Sequence, residues 1–307
     1  MLMIVRITRI FLSFFFKKKK VSLREPFIKI IGIMLGNLDN EVIFKKAFTD
    51  KFVLQCLVKD LFGVTFIPDK VETKKRFPMK ISYIDFKYDV FAQSKDKRVI
   101  VEIQKVDYDS NFDRFLLYHN MTIAELQRSS KEYKATKVVY TIVVCTGKYV
   151  AKECGGTAIE KDVLFHHSNL FDMYGTEVDV FGHKLIFLNH HYIKAATPEA
   201  YSDWLNLVKE SIKNPENPAI NLKNHGVKKV SKLIDYEHLT PEERTEIKNR
   251  HAAESAKVAY TEAARSEERA KVVRQLYANG VSIELIAKSL EQSVEVTQAI
   301  IHSTDSN

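Results

Sequence analysis

The sequence predicts an α/β fold, a core of strands and helices followed by a helical C-terminal extension. Three observations predict it. Residues 81–93 and 98–104 alternate apolar and polar side chains at period two, the spacing of two β-strands joined by the polar loop Ser94-Lys-Asp-Lys97. Apolar stripes at helical spacing flank this pair, and Val138–Val144 is a nearly continuous apolar run suited to a central strand. After Pro241 the composition shifts to Glu, Lys, Arg and Ala with few large apolar residues.

Taken in chain order, Val42, Phe44, Phe48, Phe52, Val53 and Leu57 make one apolar stripe over 41–61, predicting a single helix that Gly63 closes. Val71–Phe77 suits a strand, followed by the hairpin. A helix is expected over 110–129, with Phe112, Phe115, Leu116, Met121 and Ile123 on its buried side. Residues 150–193 read as strands with turns at Gly155-Gly156, Gly175 and Gly182. Pro198–Lys213 suits an amphipathic helix bearing Trp204, the only tryptophan, and Asn214-Pro-Glu-Asn-Pro218 ends it. Residues 215–240 read as a linker. Thr240-Pro-Glu-Glu243 is a helix start for a long solvated helix or dimerising arm. From Val272 to Ile301 two helical stretches about Gly280 suit a helix-turn-helix-like unit. Its second helix carries Glu284, Lys288 and Glu291, so assembly or positioning suits it better than base reading.

Chemistry concentrates in the hairpin. Val99, Val101 and Ile103 share one face, opposite Arg98, Ile100, Glu102 and Gln104; Ile84, Phe86, Tyr88 and Val90 likewise oppose Asp85, Lys87, Asp89 and Phe91. With the apolar faces on one core, Asp89, Glu102 and Gln104 converge opposite it. Two carboxylates there suit a hard divalent cation, which prefers oxygen ligands and keeps several waters. A polar neighbour can then orient a water for attack on a phosphodiester. The same residues also suit a solvated sheet face in which Asp85, Lys87, Asp89 and Glu102 pair across strands. Glu102 argues against that, because Val99-Ile-Val-Glu-Ile103 is too apolar on both faces for an exposed edge.

These residues resemble the core of the PD-(D/E)XK nuclease superfamily, and more narrowly the recombination-promoting nuclease family, also described as transposases (the Rpn or YhgA-like group). Asp89-Val-Phe-Ala and Val101-Glu-Ile-Gln104 carry the resemblance. So do Asn40-Glu-Val-Ile-Phe-Lys-Lys-Ala-Phe48, Phe112-Asp-Arg114-Phe-Leu-Leu-Tyr118, Lys137–Val144, His167–Phe171, Lys184–Leu188 and Leu276–Ala287. The resemblance implies a restriction-endonuclease-like fold, a mixed sheet flanked by helices, that cleaves DNA with Mg²⁺, Mn²⁺ or Ca²⁺. It implies Asp89 and Glu102 as metal ligands, joined by Glu41, and Gln104 as a catalytic residue where the superfamily more often has Lys. Arg114 and Tyr118 become DNA-contacting residues, and Asp85 is the alternative acid to Asp89. Two residue-level alternatives stay open: Glu41 also suits a first-turn acid behind Asn40, and Arg114 a core-rim ion pair.

Composition bounds the rest. The 307 residues carry a formal net charge of +8, a basic surplus that fits a polyanionic partner such as DNA, part of it from Lys17–Lys20. Cys56, Cys145 and Cys154 are odd in number and unrelated in spacing, with no Cys-x-x-Cys pair, so neither a disulfide framework nor a structural zinc is supported and a reducing cytoplasm is the default expectation. The pairs His166-His167 and His190-His191 sit on β-like stretches where neighbours point to opposite faces, so neither pair chelates readily by itself. Ile10–Phe16 is too short an apolar run to span a bilayer, and stable membrane insertion is not expected. Residues 1–37 form an atypical extension; Met1 and Met34 are both open as the start, and the reading favours Met34, with the upstream part non-native or disordered.

The resulting domains are 38–214, nuclease-like, and 241–307, helical, with homo-oligomerisation through the C-terminal helices as an expectation. The function expected is a metal-dependent DNA endonuclease. Its rivals are an inactive DNA-binding or assembly protein on the same fold, and a membrane-surface protein using Phe14–Phe16 and the lysines.

Overall fold

The computed structural model describes residues 28–29, 33–76, 86–105, 112–127, 135–148 and 159–303. The N-terminal segment before Ile28, Asp85 and the turn at Gly155-Gly156 lie outside the described residues. The chain divides into two units, ending and starting at His238 and Leu239.

The first unit is built on a six-stranded mixed sheet in the order β2-β3-β4-β5-β9-β6. Its strands are β2 (Lys70–Arg76), β3 (Lys87–Gln93), β4 (Lys97–Gln104), β5 (Val138–Cys145), β6 (Val163–His167) and β9 (Lys184–Asn189). The hairpin expected from the alternation is β3–β4, antiparallel from Val90–Val101 to Gln93–Arg98. β4, β5 and β9 then run parallel, and β2 and β6 are antiparallel edges. The apolar run read as a central strand is β5, buried from Val139 onwards between its two parallel neighbours. Short pairs β7 (Leu170–Phe171) with β8 (Glu177–Val178), and β1 (Ile28–Lys29) with β10 (Ala219–Ile220), complete the strands described.

Helices flank this sheet. The stripe over 41–61 is interrupted: α1 (Glu41–Phe48) ends at Thr49, and α2 (Lys51–Phe62) starts behind Asp50. The cause is local, since the Asp50 carboxylate accepts from the Phe52 and Val53 N–H groups at 2.9 and 3.0 Å and starts a new helix. Gly63 closes α2 in the left-handed region (φ 70°), as the sequence predicts. α3 (Phe112–Ala124) packs along β5, and α4 (Glu199–Lys213) carries buried Trp204.

Residues 215–238, read as a linker, are structured instead. β10 and α5 (His225–Leu233) belong to the first unit, with Val227 and Val230 fully buried. Their short length and high lysine content hid this stripe. α5 meets α2 and α4 at Gly226, where an added Cβ would lie 2.6 Å from both the Cys56 Cβ and the Trp204 ring. Asp60 ties the junction, its Oδ2 accepting from Trp204 Nε1 at 2.8 Å and Asn224 Nδ2 at 2.9 Å. Gly226→Ala is therefore expected to cost about 2 kcal/mol through overpacking. Urea unfolding checks it, as a lower midpoint with unchanged slope.

The second unit is α6 (Pro241–Ala278, 38 residues) followed by α7 (Ile283–Ser289) and α8 (Val294–His302). Thr240 and Glu243 form the capping box expected at its start. Residues 255–269 of α6 are almost all exposed, matching the solvated helix read from composition. Gly280 turns the chain at φ 82°, and the stretch read as one helix divides in two at Glu291 (φ 51°) and the Ser293 cap. Val273, Ile286, Ala287 and Thr297 are buried in this unit, and Arg274 reaches the Ile300 carbonyl at 3.3 Å.

Candidate active site

The β3–β4 ladder opens at Asp89. The last regular pair in that direction is Val90–Val101. Beyond it side chains take over the backbone's role: the Asp89 N–H donates to Glu102 Oε1 at 3.0 Å, and the Ile103 N–H donates to Asp89 Oδ2 at 3.3 Å. Each carboxylate thus holds the other strand's backbone, which brings the two together where the strands part. On the far side of β3, Lys74 adopts φ 54° between the pairs Thr73–Val90 and Lys75–Tyr88. A left-handed lysine is uncommon and costs energy, so β2 is distorted beside Asp89 as well.

Part of the face that alternation assigns to chemistry is covered, over Phe91, Arg98 and Ile100. Phe91 and Ile100 lie in one buried cluster with Phe86, Tyr88, Tyr118 and Met121. Arg98 is buried there too, ion-paired to Glu125, bonded to the Thr122 carbonyl at 3.3 Å and stacked 5.6 Å from the Phe91 ring centroid. Tyr88 and Phe91, three residues apart, join that same cluster, so strict alternation fails between them. Period-two reading of β3 could not show this.

Glu102 is 1% exposed, in keeping with its apolar neighbours on both faces. Burial, then the charge of Asp89, raises its carboxyl pKa well above the usual range; the Asp89 N–H and the Arg114 charge oppose the rise. A buried carboxyl beside a second carboxylate is a donor set that a hard cation would relieve, because the cation favours both ionised forms. Among the described residues no group of three or more His, Cys, Asp and Glu is gathered for a metal. Two carboxylates with remaining positions left to water and substrate suit Mg²⁺, which retains several waters.

The other expected residues fall as follows. Gln104, two positions beyond Glu102, is partly exposed at the end of β4; its carbonyl accepts from the Thr146 N–H at 2.9 Å. Glu41, in the first turn of α1, is ion-paired with Lys45 one turn on. Lys45 Nζ in turn lies 3.5 Å from Asp89 Oδ1, with its side chain 13% exposed. Glu41 therefore meets the pair through a lysine that the sequence reading passed over. The i, i+4 spacing from Glu41 was the available signal. Arg114, on α3, is exposed and lies over the rings of Phe115 and Tyr118 at 5.2 and 5.3 Å. Tyr118 itself is mostly buried, edge-on to Phe86 and Tyr88, and its carbonyl accepts from the Tyr88 hydroxyl at 3.3 Å. It forms the platform beneath Arg114. Asp85, the alternative acid, lies outside the described residues.

His166 and His167 are strand neighbours on β6, as expected, whereas the second pair is not on a strand. His190 and His191 sit in a 3₁₀ turn with rings stacked at 4.2 Å, because β9 ends at Asn189, whose side chain caps the turn.

Among the described residues no helix is long and apolar enough to cross a membrane. A family model described as PD-(D/E)XK nuclease family transposase matches residues 53–264, a stretch that includes Asp89, Glu102, Gln104 and Arg114. No curated protein matches the chain.

Proposed function

The chain belongs to the PD-(D/E)XK nuclease family transposases, and from that premise we propose that it is a metal-dependent DNA endonuclease centred on Asp89 and Glu102. One observation carries the reading. The two carboxylates sit where the β3–β4 ladder parts, each holding the other strand's backbone, with Glu102 buried.

In this reading Asp89 and Glu102 hold one divalent cation, Mg²⁺ or Mn²⁺. Bound there, such an ion would supply Lewis-acid polarisation of the phosphoryl oxygen and would lower the pKa of a bound water. The Gln104 amide, two residues beyond Glu102 on β4, holds the attacking water by hydrogen bond. A glutamine brings no positive charge, and Lys45 makes up the deficit from α1, steadying Asp89 and the developing negative charge. Arg114, held over the Tyr118 ring, binds a non-bridging phosphate oxygen. Glu41 orients Lys45 in place of binding metal directly. Water would attack phosphorus as the phosphodiester P–O bond breaks; the water gives up one proton to solvent and the leaving oxygen takes one from solvent, so the products are a phosphomonoester and a hydroxyl.

The test is nicking of supercoiled plasmid by the purified protein with and without Mg²⁺ or Mn²⁺, beside Asp89→Asn. Metal-dependent nicking by wild type only is expected. Binding without cutting under every metal would instead return the inactive DNA-binding reading. A further prediction concerns Lys45. Lys45→Met should lower the cleavage rate at saturating metal by on the order of 10²-fold, the effect of removing one preorganised cationic donor. Lys45→Arg should retain more, since it keeps the charge. Equal rates for Met and wild type would remove Lys45 from the mechanism.

A further inference from the structure

The sheet has two edges, and they differ in charge. β6, Val163-Leu-Phe-His-His167, has no Lys or Arg. β2, Lys70-Val-Glu-Thr-Lys-Lys-Arg76, has four cations in seven residues and one acid. Edge strands often carry lysine to prevent pairing with other chains. That need applies to both edges, so it does not account for the asymmetry.

Lys70 and Lys75 are ion-paired with Glu72 at 3.2 and 3.4 Å, and Lys75 also lies 5.9 Å from the Phe91 ring centroid. Lys74 and Arg76 are exposed, and so is Lys87 at the start of β3. Arg76 and Lys87 stand directly opposite each other in register. Like charges so placed across a ladder destabilise a sheet. Lys74 adds a left-handed backbone, a second local cost, in the interval of β2 that faces Asp89. Adjacent strands lie roughly 5 Å apart and residues rise about 3.4 Å each. All three cations therefore originate within one strand spacing and two residues of a candidate metal ligand. Costs concentrated beside a reaction centre mark a surface held for an anionic partner.

We propose that this edge is a phosphate track, on which Lys74, Arg76 and Lys87 bind the DNA backbone next to the bond presented to Asp89 and Glu102. The inference rests on the nuclease reading and adds to it where the duplex lies: along the β2 side of the centre. The track grips phosphates, so it sets position and affinity without reading sequence.

The experiment measures binding of a short labelled duplex by fluorescence anisotropy, without divalent metal, across a KCl series. Lys74→Gln/Lys87→Gln is compared with Lys228→Gln/Lys232→Gln, which removes two exposed lysines from α5. Removing one phosphate-binding cation should reduce the slope of log Kobs against log[salt] by about 0.9, so the first pair should lower it by about 1.8, equally for unrelated duplex sequences. The control pair should keep the wild-type slope, and Lys74→Arg/Lys87→Arg should restore it. Should the double variant fold poorly, Lys74→Gln and Lys87→Gln singly are each expected to lower the slope by about 0.9. Wild-type slope in the β2 variants, or an equal reduction in the α5 control, overturns the track. If wild type still nicks plasmid with metal in that case, only the track falls. Absence of both binding and nicking in wild type overturns the nuclease reading and the track together.

Discussion

Glu102→Gln should reduce DNA cleavage by on the order of 10³-fold or more and, in the same protein, raise the melting temperature measured without metal at pH 8. The loss of activity follows from the metal's share of transition-state stabilisation, several kcal/mol at about 1.4 kcal/mol per factor of ten. The gain in stability follows from burial. A carboxyl whose folded pKa lies above its unfolded value holds its proton more tightly when folded, so stability is lost as pH rises through the folded value. Glu102 is such a group, raised first by burial and then by Asp89. Glutamine has the same shape, keeps an oxygen for the Asp89 N–H and presents an amide N–H to the Asp89 carboxylate. It removes the charge that is costly there. Divalent metal should favour wild type over the variant. Bound at 100 times its Kd, it would stabilise wild type by about 2.7 kcal/mol and the variant far less. Thermal melts with EDTA and with Mn²⁺ check both signs. A variant that melts below wild type in EDTA would show that Glu102 stabilises the fold by itself, contrary to its surroundings.

How much of this was legible in the sequence depends on the range of the interaction involved. The hairpin, the buried strand β5 and the caps at Thr240 and Gly63 are set by neighbours a few residues apart, and period and capping residues disclosed them. The buried position of Glu102 was legible for the same reason, from apolar residues on both sides of it. The opening of the ladder at Asp89 was not, because it depends on two side chains replacing backbone partners across strands. Nor could alternation reveal that α3 covers the face holding Arg98 and Phe91, since amphipathic patterns do not say which faces meet. α5 was read as a linker because a nine-residue helix offers little period, and its burial depends on a glycine-wide gap between α2 and α4. Lys45 was passed over for the opposite reason. A lysine one turn after a glutamate usually denotes a surface pair, and only the fold brings it within 3.5 Å of Asp89.

Acid should unfold the first unit, with a pH dependence that Glu102 partly conceals. His119 is fully buried, its Nδ1 2.8 Å from the Thr141 hydroxyl, and burial with the nearby His183 and His166 depresses its pKa to about 3. His190 is depressed to about 4 by burial, with His191, Lys213 and Lys209 adding to it. His183, buried as well, moves the same way. A depressed histidine binds its proton only after unfolding, so its stabilisation is complete above the unfolded pKa of about 6.5 and declines as pH falls towards the folded value. His119 and His190 each contribute a slope of about 1.4 kcal/mol per pH unit in that window, and His183 adds in the same direction. Glu102 contributes with the opposite sign between its unfolded pKa and its raised folded one, because there the folded state holds the extra proton. Between about pH 6 and pH 5, His119 and His190 together give about 2.7 kcal/mol per unit, and the raised pKa of Glu102 offsets part of it. Metal-free Glu102→Gln should therefore lose stability on acidification more steeply than wild type, although it starts higher at pH 8. His119→Asn in that background should bring the slope back down by about 1.4 kcal/mol per unit. Urea unfolding at a series of pH values measures all three slopes. Parallel slopes for wild type and Glu102→Gln would mean that Glu102 is ionised in the folded protein over this range, removing the burial argument on which its affinity for a cation is built.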